Sequence, residues 1–257
     1  MQRRDFIKQT LTAALAAAAS PLLSSPLMQN DDIKPKNMAN MKKIMIIDGG
    51  PRRNMNTAAM VAKFAEGARN AGVEAKVVRL YDIDPYMGCR SCMACQLKDR
   101  RVDSCRFPDG LTELLAECTA ADGLVIASPI YYGEVTAQVR AFFERFTFPW
   151  LSYSKGTFNA PKKMPVTFIY TMNGMPSDGE EIRNQHMHLV EMLTGMALGC
   201  TVEVIQANNT TQVNDYSRYD FASGTAQAKK AWRDAHWQDD LQKAHDAGKR
   251  MAENILA

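Results

Sequence analysis

The chain has 257 residues, with 31 Lys and Arg against 28 Asp and Glu and a formal net charge of +3. That near balance offers no basic surface for nucleic acid, and 46% hydrophobic with 23% charged residues is a globular composition rather than a disordered or fibrous one. The length suits one large or two small domains.

The first residues differ from the rest. Arg3-Arg4-Asp5-Phe6-Ile7-Lys8 precedes an uncharged, Ala- and Leu-rich run from Thr10 to about Met28. A charged start before a weakly apolar segment predicts an export signal over residues 1–28. The paired arginines resemble the twin-arginine pattern R-R-x-F-x-K, which engages the export machinery and leads to the periplasm. An unused signal would leave the protein in the cytoplasm. An uncleaved anchor is the other reading, which the alanine-rich composition disfavours. Residues 29–40 are rich in Asn, Asp, Lys and Pro and predict a linker, so the folded domain is expected over 41–257.

That domain opens on a short apolar run, Lys43 to Ile47, which breaks at Asp48-Gly49-Gly50-Pro51 and passes Arg52 and Arg53 to reach Asn56-Thr57. The run is too short for a helix and predicts a buried parallel strand. The helix behind it, with Met60, Val61, Phe64, Ala65 and Ala68 at helical spacing, ends at Gly72. Its N-terminus presents free N–H groups and a positive dipole end to the loop, an anion site. No Gly-Lys-Ser/Thr triplet follows the glycines, and the pattern is not G-x-G-x-x-G. Arg52, Arg53, Asn56 and Thr57 supply donors for a terminal phosphate instead.

Val73 to Leu80 alternates apolar and charged residues, as an edge strand does, and a Cys-rich loop follows. Asp109 reads as the N-cap of a helix carrying Leu111, Leu114, Leu115 and Cys118. Gly123 to Ser128 is a third, wholly apolar strand, ending in Pro129-Ile130-Tyr131-Tyr132-Gly133 before a helix from about Val135 to Phe146. A long connection, Thr147 to Pro165, carries Trp150, Tyr153 and Phe158. Val166 to Thr171 is a fourth strand ending in Met172-Asn173-Gly174, a helix runs on to Gly199, and Thr201 to Ile205 is a fifth strand. Asn208 to Gly224 reads as polar loop, and the C-terminus as helix in two parts.

Strands alternating with helices predict a three-layer α/β fold whose parallel sheet is covered on both faces. Ligands then bind outside the carboxyl ends of the strands, where three loops converge: Gly49 to Thr57, Pro129 to Gly133, and Thr171 to Met175. The aromatic second loop, with Gly133 allowing close backbone approach, suits a flat heteroaromatic ring. A phosphate site beside a ring site suggests FMN.

The residues also carry a specific resemblance. I-D-G-G-P-R-R-N-M-N-T and A-S-P-I-Y-Y-G-E-V-T-A-Q-V-R-A-F-F-E-R are similar to the phosphate loop and the S-P-x-Y segment of the NAD(P)H-dependent FMN reductase family. The loop G-C-R-S-C-M-A-C resembles that family's iron-sulfur flavoprotein-like branch. The resemblance implies a flavodoxin-like fold with a five-stranded sheet of order 2-1-3-4-5. It implies FMN held by Gly50, Pro51, Arg52, Asn56 and Thr57 at the phosphate, by Pro129, Ile130, Tyr131, Tyr132 and Gly133 beside the ring, and by Gly174 nearby. Gly50 stands where the family has a serine, so one hydroxyl donor is missing.

The implied activity is transfer of electrons from NAD(P)H to a small acceptor (a quinone, nitro, azo or flavin compound) by a homodimer or homotetramer, with the connection around Trp150 reaching over a neighbouring subunit's flavin. Flavin chemistry needs no catalytic side chain. An exported flavodoxin-like carrier reduced by a protein partner is the alternative, because the periplasm lacks NAD(P)H. Cys89, Cys92, Cys95 and Cys105 follow C-x2-C-x2-C-x9-C, whose first three positions match ferredoxin spacing. A 4Fe–4S cluster, zinc, a disulfide and free thiols all remain open for them. Cys118 and Cys200 read as core, and His186 as structural.

Overall fold

The computed structural model describes residues 41–257; the expected export segment and linker, residues 1–28 and 29–40, lie outside the described residues. The chain runs β1 (Lys43–Asp48), α1 (Asn56–Asn70), β2 (Glu74–Arg79), α2 (Thr112–Ala120), β3 (Gly123–Pro129) and α3 (Ala137–Phe146). It continues through β4 (Leu151–Ser152), β5 (Thr157–Phe158), β6 (Val166–Thr171), α4 (Pro176–Ile182), α5 (His188–Leu198), β7 (Glu203–Ala207) and α6 (Thr225–Leu256). The main sheet is parallel with order β2-β1-β3-β6-β7. Setting aside the small β4-β5 hairpin, that is the 2-1-3-4-5 order of the flavodoxin-like fold.

Side chains alternate across each strand, so β1 feeds both layers. Met45 and Ile47 pack with Leu114, Leu115, Phe142, Phe146 and Phe168 on one face. Ile44 and Ile46 pack with Met60, Phe64, Ala244 and Met251 on the other. The second layer depends on a close crossing of α1 and α6. A Cβ at Gly67 would lie 1.9 Å from the His245 carbonyl oxygen, and one at Gly248 would lie 2.0 Å from that of Phe64. Glycine is the residue that lets the two backbones touch. No helix among the described residues is long and apolar enough to cross a membrane.

Four expectations need correction. The C-terminus is a single helix of 32 residues, not two: the polar stretch Gln238-Asp239-Asp240 lies within it, with Asp240 buried and bonded to Lys243 at 3.2 Å. Asp109 is not the N-cap residue of α2, a position held by Leu111; it lies two residues earlier, where one carboxylate oxygen accepts the Leu111 N–H at 3.0 Å and the other pairs with Arg145. The connection after α3 folds into the β4-β5 hairpin, and Trp150 is 1% exposed beneath it, its indole N–H donating to the Asp103 carbonyl at 2.7 Å. Trp150 itself therefore cannot reach over a neighbour's flavin, whereas Tyr153 of the same connection is exposed. The last strand begins at Glu203, two residues later than expected.

Candidate functional site

The first loop is braced from below. Asp48, 1% exposed, accepts the Gly50 N–H at 2.8 Å and a guanidinium N–H of Arg79 at 2.9 Å. Arg79 also donates to the Gly50 carbonyl at 3.2 Å. Burial pushes the Asp48 carboxyl up, and the Gly50 N–H and Arg79 partly offset that rise. A side chain at Gly50 would meet this brace: its Cβ would lie 3.0 Å from Asp48 Oδ1 and 3.1 Å from Thr57 Cβ. The serine missing from the loop is therefore a serine for which this loop has little room.

Gly49 ties the first loop to the second. Its carbonyl accepts the Thr136 hydroxyl at 3.0 Å, and the Thr136 N–H donates to Ser128 Oγ at 3.0 Å. Past this tie, α1 begins at Asn56 after Met55, which gives no side-chain cap, so the first helical N–H groups remain free for an anion.

A cavity of about 200 Å³ opens over that helix end. Gly50, Pro51, Arg52, Asn56, Thr57, Pro129, Ile130 and Tyr131 all line it, together with Thr171, Met172 and Asn173 from the third loop. Thr57 and Thr171 share a hydrogen bond of 2.7 Å between their hydroxyls, so the first turn of α1 and the end of β6 meet at that point. Four expected residues stand off the lining, the first being Arg53, which pairs with Asp82 at 2.8 Å. Tyr132 sits at the tip of a tight turn with φ 52°, its side chain fully in solvent. Gly133 (φ 80°) follows it beside the His186 ring, which lies 3.3 Å from where a Cβ would be. Gly174 uses its carbonyl to accept the Asn209 N–H at 2.6 Å. His186 itself is exposed, on a π-helical turn between α4 and α5, rather than part of the core.

A fourth wall went unread in the sequence. Thr210, Thr211 and Gln212, after β7, also line the cavity. Arg52 donates to the Gln212 carbonyl, and Asn56 donates from Nδ2 to that of Thr211 at 2.7 Å. Lys229 on α6, 8% exposed, donates to the Asn173 carbonyl at 3.1 Å and to the Asn173 and Asn209 side chains, which fixes the third and fourth loops together. The available signal was positional: Asn208-Asn209-Thr210-Thr211 directly follows a strand that ends at the same edge.

A separate cavity of about 300 Å³ lies under the Cys-rich loop, and Cys89, Cys92, Cys95 and Cys105 all line it. Among the described residues all six cysteines are free, and no three His, Cys, Asp or Glu side chains converge on a single-ion site. The loop is held in an unusual conformation. Ser91 and Met93 have φ of 53° and 56°, and the Ser91 N–H donates to Cys89 Sγ at 3.4 Å. Arg145, with its side chain 1% exposed, clamps both flanks of the loop. It donates to the Met87 carbonyl at 3.1 Å, the Phe107 carbonyl at 3.0 Å and Asp109 Oδ2 at 2.5 Å. Its Nε is buried without a hydrogen-bond partner. Burial works against the Arg145 charge, but Asp109 and the neighbouring Cys105 outweigh it and raise the guanidinium above its ordinary value. Arg145 and the four cysteines line the same cavity, and a cation beside sulfur ligands suits an anionic thiolate-bound group.

A parallel sheet of this order, with an uncapped helix N-terminus and a basic Gly-Gly-Pro loop at the strand ends, defines a mononucleotide-binding α/β protein. Residues 42–209 match the family described as NADPH-dependent FMN reductase, and the chain belongs to that family. It is 30% identical over 146 residues to an iron-sulfur flavoprotein of Methanosarcina thermophila, covering 57% of this chain and 71% of that protein. It is 25% identical over 214 residues to an iron-sulfur flavoprotein of Archaeoglobus fulgidus, covering 83% of this chain and 94% of that one. The NAD(P)H:quinone oxidoreductase of Methanothermobacter marburgensis shares the fold, with TM-score 0.58 and 17% identity over 82% of this chain and 98% of that one.

Proposed function

We propose that the protein is an FMN-dependent oxidoreductase that passes electrons from NAD(P)H to a small acceptor of the quinone, nitro, azo or flavin class. One observation carries this reading: the loops after four parallel strands close around the uncapped start of α1, with Arg52, Asn56 and Thr57 in the wall. Arg52 and the free helix N–H groups bind the phosphate, and Thr57 and Asn56 fix its position. Pro129, Ile130 and Tyr131 offer a face for the ring, with Tyr132, Gly133 and Gly174 at its margin. Bound FMN supplies two-electron chemistry, and the protein orients it and excludes water. Membership of a reductase family favours this reading over the exported carrier.

The same proposal extends to the cysteines. Four cysteines lining one cavity, three of them at ferredoxin spacing, and relatives described as iron-sulfur flavoproteins support a 4Fe–4S cluster. Homo-oligomerisation is supported by α5, whose outer face exposes Leu189, Met192, Leu193 and Met196 at helical spacing. Export through the N-terminal signal is supported by the Arg3-Arg4 pattern and the uncharged run from Thr10 to about Met28.

Steady-state assays of full-length protein test the activity. FMN-dependent oxidation of NADH or NADPH on addition of a quinone is the expected result. A flavin that only a protein donor reduces would establish the carrier instead.

A further inference from the structure

Next to the cavity assigned to the flavin lies a larger one, about 590 Å³, that the reductase reading leaves unused. It opens between the start of α1, the loop after β7 and the first turns of α6. Met55, Asn56 and Thr211 belong to the walls of both, so the two cavities adjoin at the phosphate end of the site.

Arg233 stands at that partition. Its guanidinium donates to Asn56 Oδ1 at 3.3 Å and Thr211 Oγ1 at 3.4 Å, and lies 4.3 Å from the centre of the Trp237 ring. These partners are neutral. Of the other charged residues in the wall, Lys230 pairs with Asp234 at 2.5 Å, and Asp215 is a carboxylate that accepts the N–H and hydroxyl of Ser217 at 3.0 and 2.6 Å. Arg233 is thus a cation held on an indole and on uncharged acceptors, facing a cavity large enough for a nucleotide half. A guanidinium offers a phosphate forked donors and offers a base a flat surface.

We propose that this cavity takes the adenylate half of a flavin dinucleotide, so that the protein binds FAD as well as FMN. The pyrophosphate then runs from the loop of Arg52 and Thr57 to Arg233. The proposal rests on the flavin reading of the first cavity, and the test separates the two.

Full-length protein stripped of flavin is titrated calorimetrically with FMN and with FAD, as wild type and as Ala226→Trp. Ala226 is an exposed wall residue of the second cavity and does not line the first. The expected result is that wild type binds FAD within about tenfold of FMN, and that Ala226→Trp weakens FAD by about tenfold or more while FMN is unchanged. Arg233→Gln gives a second arm, in which FAD should lose more affinity than FMN. FAD bound much more weakly than FMN by wild type, or equal effects of both substitutions on the two flavins, would overturn the proposal and leave FMN binding intact. An Ala226→Trp variant that raises only the KM for NADPH would assign the cavity to that donor's adenylate and also overturn it. Wild type that binds neither flavin would overturn the flavin reading and this proposal together.

Discussion

Arg52 carries the charge most directly suited to a phosphate, and charge-assisted hydrogen bonds of that kind contribute about 1.5–3 kcal/mol. Arg52→Ala should therefore weaken FMN binding by roughly ten- to a hundredfold without lowering the melting temperature, since the side chain is exposed. Calorimetric titration and a thermal melt check both halves of that expectation. The donors at this loop were legible in the sequence because Arg52, Asn56 and Thr57 follow the glycines within a few positions. Their brace was not. Asp48 and Arg79 are 31 positions apart and meet because β1 and β2 pair in a register that sets them side by side. Asp109 shows the same limit: its place at the start of α2 was legible, but its role as the counter-ion of Arg145, 36 positions away, was not. Burial alone would raise its carboxyl, but the Arg145 bond and the Leu111 N–H outweigh burial and hold it below the ordinary carboxylate value. A depressed carboxyl stabilises the fold above its unfolded pKa, about 3.9, and that contribution fades as pH falls through the folded value. Asp109→Asn should thus cost about 3 kcal/mol at neutral pH, with the difference from wild type shrinking as the pH of the melts is taken below the ordinary carboxylate range.

The parallel strands and the helices between them followed directly from hydrophobic pattern, since a strand buried on both faces is apolar throughout and an amphipathic helix repeats every third or fourth residue. What the pattern concealed were decisions made between elements. The β4-β5 hairpin contains few residues and has no alternation long enough to read, and Trp150 is drawn inward by Phe146, 4.7 Å away between ring centres. The continuity of α6 likewise depends on tertiary contact, because its mixed polar sequence alone does not distinguish one long helix from two. Its crossing with α1 gives a sharp prediction. At Gly248 a methyl group would strike the Phe64 carbonyl, so Gly248→Ala should destabilise by about 2–3 kcal/mol despite the better helix propensity of alanine. Chemical denaturation measures it, and a stabilised variant would mean that the helices do not cross as closely as described.

For the molecule as a whole, the strand ends carry the cavities, and the outer face of α5 carries the proposal of a homo-oligomer. Met196 is 61% exposed on that face. Met196→Glu should shift an oligomer toward monomer in sedimentation or light scattering while the fold persists. The central claim, however, concerns the first cavity. Its most direct test is the absorbance spectrum of full-length protein as purified, followed by titration with FMN and addition of NADPH. The account predicts yellow protein, or colourless protein that takes up stoichiometric FMN, with the flavin band bleaching when NADPH is added and returning with a quinone. Protein that is colourless and leaves added FMN unbound would contradict it.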